Sequence, residues 1–195
     1  MSSEIIEAGY APVAHDALRC EPLFPILAKP LVLVGPMGAG KTTIGTLLAK
    51  RLNRPFLDSD HELEACTGVS VATIFEIEGE VAFRDREAQV LAQLCEPGAE
   101  IVLSTGGGSI LRESTRLLLR ERAIVAYLHA APEVSFERVK RTKDRPLLKT
   151  NDPLGKLKAL YEMRDPLYRE TAHFRVETHR ARTAIVIDEI LTLIL

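Results

Sequence analysis

The sequence predicts an α/β protein in three layers, with parallel strands at the centre and helices on both faces. Two observations carry this. Short apolar runs alternate with segments of helical period along most of the chain, and such alternation gives a parallel sheet covered by helices. The run Leu31-Val-Leu-Val34 is apolar at every position, as expected of a strand buried on both sides. The 195 residues suffice for one domain with a sizeable core.

Taken in order, residues 1–28 show no clear period and are expected to be a leader, with a single domain over 29–195. Leu31 to Val34 is the first strand, and Lys41 to Leu52 a helix. Pro55-Phe-Leu57 is a second strand ending at Asp58. Helices are expected from Asp60 to Cys66, Val71 to Glu78 and Glu80 to Cys95. Ile101-Val-Leu103 is the third strand, closed by Thr105-Gly-Gly-Gly108. A helix over Glu113 to Arg122 precedes the fourth strand, Ile124 to Leu128. Pro132 suits the first turn of the next helix, which runs to about Arg141. Residues 142–153 hold prolines and no apolar period, so they read as a loop. A helix from Lys156 to about Tyr168, a fifth strand Phe174-Arg-Val176 and a helix from Thr183 to Leu195 complete the chain.

Charge and composition exclude several classes. The net charge is −2, so no global field favours nucleic acid or an anionic membrane. No stretch reaches the roughly 18 apolar residues of a membrane span. The first residues carry Glu4, Glu7, Asp16 and Glu21, unlike an acid-poor transit peptide. Cys20, Cys66 and Cys95 have no metal-ligand spacing and read as reduced packing thiols. The expectation is a cytoplasmic monomer that binds neither nucleic acid nor membrane.

The strongest motif is Gly35-Pro-Met-Gly-Ala-Gly-Lys41-Thr42, which matches G-x-x-x-x-G-K-[ST] between a strand and a helix. Its glycines let the backbone wrap a polyphosphate, and the helix start adds positive charge. Gly38, Ala39, Gly40, Lys41, Thr42 and Thr43 are therefore nucleotide-binding candidates. Lys41 would bridge the β- and γ-phosphates, and Thr42 would ligate Mg²⁺. A glycine-rich turn with an exposed lysine is the bland alternative, and the strand–helix context argues against it.

This loop leaves the acceptor open. Asp58 and Asp60, two apart on a strand, would face the same way. Asp58 could orient the attacking hydroxyl, accept its proton or hold Mg²⁺ through water. Asp60 could accept bonds from other hydroxyls, or merely cap the following helix. Arg84 and Glu87 share a helix face. By spacing alone they read as an exposed ion pair, with a buried anion clamp as the alternative. Arg164, among Leu157, Leu160, Tyr161 and Tyr168, either enters a cleft or snorkels to the surface. Gly106, Gly107 and Gly108 would let a substrate meet bare backbone N–H groups. The polar loop at about 142–155 carries Lys143 and Arg145 and suits a lid that excludes water and supplies charge.

Together these pieces resemble the shikimate kinase family from about Leu31 onward. The resemblance rests on Gly35 to Thr42, Asp58-Ser-Asp60, Phe83-Arg84 with Glu87, Gly106 to Gly108, Arg145-Pro-Leu-Leu148 and Arg164-Asp-Pro-Leu-Tyr168. It implies a P-loop fold with a five-stranded parallel sheet in the order 2-3-1-4-5 and a mobile lid. It implies ATP and Mg²⁺, and phosphorylation of the 3-hydroxyl of shikimate on the route to aromatic amino acids. Lys41, Asp58 and Arg145 would be catalytic, with Thr42 and Asp58 at the metal. Asp60, Arg84, Gly106 to Gly108 and Arg164 would hold shikimate. Arg141 matches an adenine-stacking position, and Arg180 lies in Glu177 to Thr183, where the family usually has a proline that is absent here. A gluconate kinase is the nearest rival, and a silent nucleotide-binding regulator the rival of another class. Retention of Lys41, Asp58 and Arg145 argues against the second.

Overall fold

A four-residue strand buried at every position anchors the molecule: β1 (Leu31–Val34) is at most 1% exposed. Around it lie β2 (Phe56–Asp58), β3 (Val102–Ser104), β4 (Ile124–His129) and β5 (Phe174–Glu177). All pairings are parallel, in the order β2-β3-β1-β4-β5. The computed structural model describes residues 29–140, 150–178 and 182–194. Most of the expected lid, with Arg141 and Arg145, lies outside the described residues, as do the leader and Arg180.

Seven helices among the described residues cover the sheet: α1 (Lys41–Leu52), α2 (Ser59–Thr67), α3 (Val71–Leu94), α4 (Glu113–Arg122), α5 (Pro132–Val139), α6 (Pro153–Thr171) and α7 (Thr183–Ile194). The period of two along β1 divides the core. Leu31 and Leu33 pack with Ile44 and Leu48 of α1 and Val186 and Ile190 of α7. Val32 and Val34 pack on the other face with Leu91, Leu119 and Tyr168. A separate cluster of Leu63, Ile74, Phe83 and Val90 binds α2 to α3 and makes a small arm beside the sheet.

The elements start and stop for local reasons. Ser70 caps α3 by accepting from the Thr73 N–H, and Asp152 caps α6 by accepting from the Gly155 N–H at 2.8 Å. Pro153 occupies the first turn of α6 and Pro132 that of α5, where a missing N–H costs nothing. Helix α6 is longer than its apolar period from Lys156 to about Tyr168 predicts: the Asp152–Pro153 cap starts it three residues earlier, and it runs on to Thr171. The expected break between Val71–Glu78 and Glu80–Cys95 is present as a kink inside α3, where Gly79 has φ 80°. Arg86 spans the kink with hydrogen bonds of 2.9 and 2.8 Å to Glu78. No described helix is long and apolar enough to cross a membrane.

Candidate active site

The carboxyl ends of β1, β2 and β3 open into a cleft of about 620 Å³, where open parallel sheets bind ligands. The β1–α1 loop forms one wall. Gly38 and Gly40 there have φ of 76° and 94°, a backbone region that disfavours any side chain. Gly40 caps α1 with no side-chain bond, and no acidic residue stands in the first turn. The N–H groups of that turn are thus left for an anion, backed by the helix dipole. Lys41 Nζ donates to the carbonyls of Gly35 and Pro36 at 2.8 and 3.0 Å, holding the ammonium over the loop. Thr42 and Thr43 are exposed at the mouth. Ala39 can contribute backbone alone: its methyl is buried in the core and its N–H donates to the Pro36 carbonyl at 3.3 Å.

Asp58 and Asp60 both line the cleft, although the chain turns helical at Ser59 and ends the strand between them. The capping role considered for Asp60 belongs to Asp58, whose Oδ1 accepts the Asp60 N–H at 3.1 Å. Asp60 is left to point at the ligand space. Burial, then the neighbouring charge of Asp58, pushes its carboxyl above the usual range, against the pull of Lys41 and Arg84.

That shift makes a stability prediction. A carboxyl whose pKa is raised on folding destabilises the fold when ionised, and the penalty fades as pH falls through the raised value. Asp60→Asn is therefore expected to raise the melting temperature at pH 7. The gain shrinks as pH drops through the raised folded value toward the ordinary value of 3.8, below which wild-type Asp60 is neutral in both states. Melting curves of both proteins from pH 7 to pH 4 check this; a destabilised variant at pH 7 would show that the ionised carboxylate is already compensated.

The arm supplies the opposite wall. Arg84 Nη1 donates to Glu87 Oε2 at 2.6 Å, and the two side chains are 12% and 4% exposed. This corrects the exposed pair that spacing favoured: α3 turns this face toward the cleft, and the pair is buried. Burial pushes the Glu87 carboxyl upward, and the Arg84 guanidinium pulls it back. Arg84 also lies beside Glu80, at 3.4 Å.

The third wall is the loop after β3. Gly106 does not offer a bare N–H, since it donates to the Ser59 hydroxyl at 3.2 Å. The glycines serve a different need. A Cβ on Gly106 would meet Asp60 Oδ1 and Glu87 Oε1 at 3.0 Å, and one on Gly108 would fall into the Arg84 guanidinium, 2.7 Å from Cζ. The Gly107 carbonyl accepts Arg164 Nη1 at 3.2 Å and the Tyr168 hydroxyl at 2.6 Å, so Arg164 enters the cleft rather than snorkelling. Burial pushes the Tyr168 hydroxyl up to about 12, which keeps it a donor. Arg84 Nε, Glu87 Oε1 and Arg164 Nε are buried without a protein partner among the described residues, and all three belong to side chains that line this cleft.

A smaller cleft of about 230 Å³ flanks the phosphate loop, lined in part by Gly40, Thr43, Arg138, Thr178 and Thr183. Sequence reasoning missed Arg138. It donates to the Gly38 carbonyl at 3.0 Å and the Thr178 carbonyl at 2.7 Å, tying the phosphate loop to the end of β5. The available signal was its place one helical turn before Arg141.

A family model described as shikimate kinase matches residues 37–195. A shikimate kinase of Burkholderia pseudomallei (strain 1710b) is 59% identical over 150 residues, covering 77% of this chain and 81% of that protein. One from Neisseria gonorrhoeae is 52% identical over 155 residues, covering 80% and 91%. Among solved structures, shikimate kinase from Acinetobacter baumannii in complex with shikimate has 49% identity and a TM-score of 0.79, covering 85% of this chain and 92% of that one. Shikimate kinase from Aquifex aeolicus has 37% identity and a TM-score of 0.72, covering 84% and 94%. The family match starts within the phosphate loop and takes in Lys41, both arginines and the glycine turn that build the cleft, and the chain belongs to the shikimate kinase family.

Proposed function

We propose that this protein transfers the γ-phosphoryl of ATP to the 3-hydroxyl of shikimate. One observation carries the acceptor side: two half-buried arginines, Arg84 and Arg164, line the same cleft as Lys41 and Asp58. Guanidinium groups hold a planar carboxylate by paired hydrogen bonds, and Asp60 is placed for a hydroxyl. A small acid bearing hydroxyls fits this set, and the Acinetobacter baumannii relative was solved with shikimate bound.

Around the reacting groups, each residue has a task. The first turn of α1 and Lys41 hold the phosphates and neutralise the charge that builds on the transferring group. Asp58 orients the acceptor hydroxyl from the end of β2 and receives or relays its proton. Arg145, which lies between α5 and α6 in the chain, would add charge and help exclude water. Arg138 and the smaller cleft take the adenine side, with Arg141 and Arg180 as the further cationic candidates there.

Mg²⁺ would be held through the Thr42 hydroxyl and the Asp58 carboxylate, both in the cleft. Hard oxygen donors suit it, and Mg²⁺ commonly takes one or two protein ligands with the rest from phosphates and water. When bound, the ion offsets charge on the β- and γ-phosphates.

The test is ADP release by purified protein with ATP and Mg²⁺. Release that depends on shikimate and is absent with gluconate is expected. Turnover of gluconate in place of shikimate would move the assignment to the rival acid kinase.

A further inference from the structure

Arg164 has a neighbour on α6, Asp165, that the acceptor reading leaves without a task. The hydroxyl of Tyr127, a buried residue of β4, donates to Asp165 Oδ1 at 2.8 Å. The Tyr127 ring stacks on Tyr168, with centroids 5.0 Å apart and planes at 25°. Tyr168 in turn donates to the Gly107 carbonyl, the oxygen that also receives Arg164 Nη1. Asp165 Oδ2 accepts Arg169 Nε at 2.6 Å.

The polarity of the Tyr127–Asp165 bond is fixed. Burial, with the hydrogen bond to Asp165, pushes the Tyr127 hydroxyl upward. Burial acts to raise the Asp165 carboxyl too, but bonds from Arg169 and Tyr127 outweigh it and hold it below the usual range. The tyrosine therefore donates and the aspartate accepts. This bond joins the rigid sheet to the helix one residue from Arg164. Successive residues on a helix point about 100° apart, so Asp165 acts as a stop against rotation of α6 about its axis. Paired hydrogen bonds to a carboxylate tolerate only small displacements of the guanidinium.

We infer that Asp165 is a positioning residue: by accepting the Tyr127 hydroxyl it sets the rotation of α6 and with it the reach of Arg164 to the acceptor carboxylate. The inference rests on the acceptor reading of Arg164. A bond that served stability alone would lower the melting temperature and leave acceptor affinity untouched.

Asp165→Ala and Tyr127→Phe each remove one end of the bond, and the second keeps the ring stack. Shikimate titrated into each, without ATP, is expected to bind about three- to tenfold more weakly. The Kd for ATP, and kcat at saturating shikimate, should change by less than about twofold. The double variant should be no weaker than either single one, since both break one bond. Asp165→Asn, whose side-chain oxygen still accepts the hydroxyl, should restore near-normal affinity. Normal shikimate affinity in folded Tyr127→Phe, or additive losses in the double variant, overturns the inference even if Asp165→Ala fails to fold. Arg164→Lys separates the two levels. If it weakens shikimate binding while Asp165→Ala and Tyr127→Phe do not, the positioning role falls alone. If it binds normally, the acceptor reading and the inference fall together.

Discussion

Replacing Lys41 with alanine lowers kcat by about 10²–10³ and leaves the fold intact. The rate effect is large because the ammonium meets charge that grows on the transferring phosphoryl, in a cleft where water does not screen it fully. The structural effect is modest because the Lys41 ammonium bonds to its own loop, to the Gly35 and Pro36 carbonyls, from a half-buried position. Bonds of this kind add on the order of 1 kcal/mol each, about 2–4 °C of melting temperature apiece in a chain this size. Helix α1 keeps Gly40 at its start and Lys50 and Arg51 in its last turn. ADP release and a melting curve on the same preparation decide the matter. Near-wild-type turnover by a folded variant would remove the phosphate-loop assignment.

Two substitutions on different elements should have one phenotype. Arg84→Lys weakens shikimate binding about tenfold or more, since a charged hydrogen bond is worth roughly 1.5–3 kcal/mol and lysine lacks the planar fork. Gly108→Ala should do the same without touching a charge. Its backbone, at φ −105°, accepts alanine, but the added methyl would occupy the space of the Arg84 guanidinium. That guanidinium is buried against Glu87, so it can move only by breaking the pair. In both variants the Kd for ATP should hold steady, because neither residue is placed at the nucleotide. The two effects should also fail to add, both acting through Arg84. Titration with shikimate and with ATP separates these outcomes. Normal shikimate affinity in Gly108→Ala would show that Arg84 can relax, and normal affinity in Arg84→Lys would place the carboxylate elsewhere.

Some parts of this protein were legible as a linear string because their signals are local. The apolar run Leu31–Val34 announces a buried strand wherever it occurs. The phosphate loop announces itself by glycine spacing and by the strand and helix on either side. Gly79 separated two helical stretches in the reading, and the structure bends there. Such features depend on backbone dihedrals and near neighbours, which residue identities largely dictate.

The acceptor site was a different matter. Arg84 and Glu87, three apart on a helix, favour a surface pair by spacing, with a buried clamp as the alternative. Spacing gives a shared face, while the packing of α3 on the sheet decides what that face meets. The same limit hid the purpose of the glycine triplet, which keeps a Cβ out of the space of Arg84, Asp60 and Glu87, side chains from distant parts of the chain. It also left a cap open for Asp60 as an alternative, whereas the helix starts at Ser59 and Asp58 is its cap. Arg138 carried no motif of its own and became visible only through the carbonyls of Gly38 and Thr178. The sequence by itself determined the fold class, the phosphate loop and the set of residue types at the site. The tertiary structure alone decided which of those side chains are buried, which share a wall of the cleft and which hold others in place. The physical reason is that burial and contact between distant segments depend on how helices dock on the sheet, and no window of neighbouring residues contains that information.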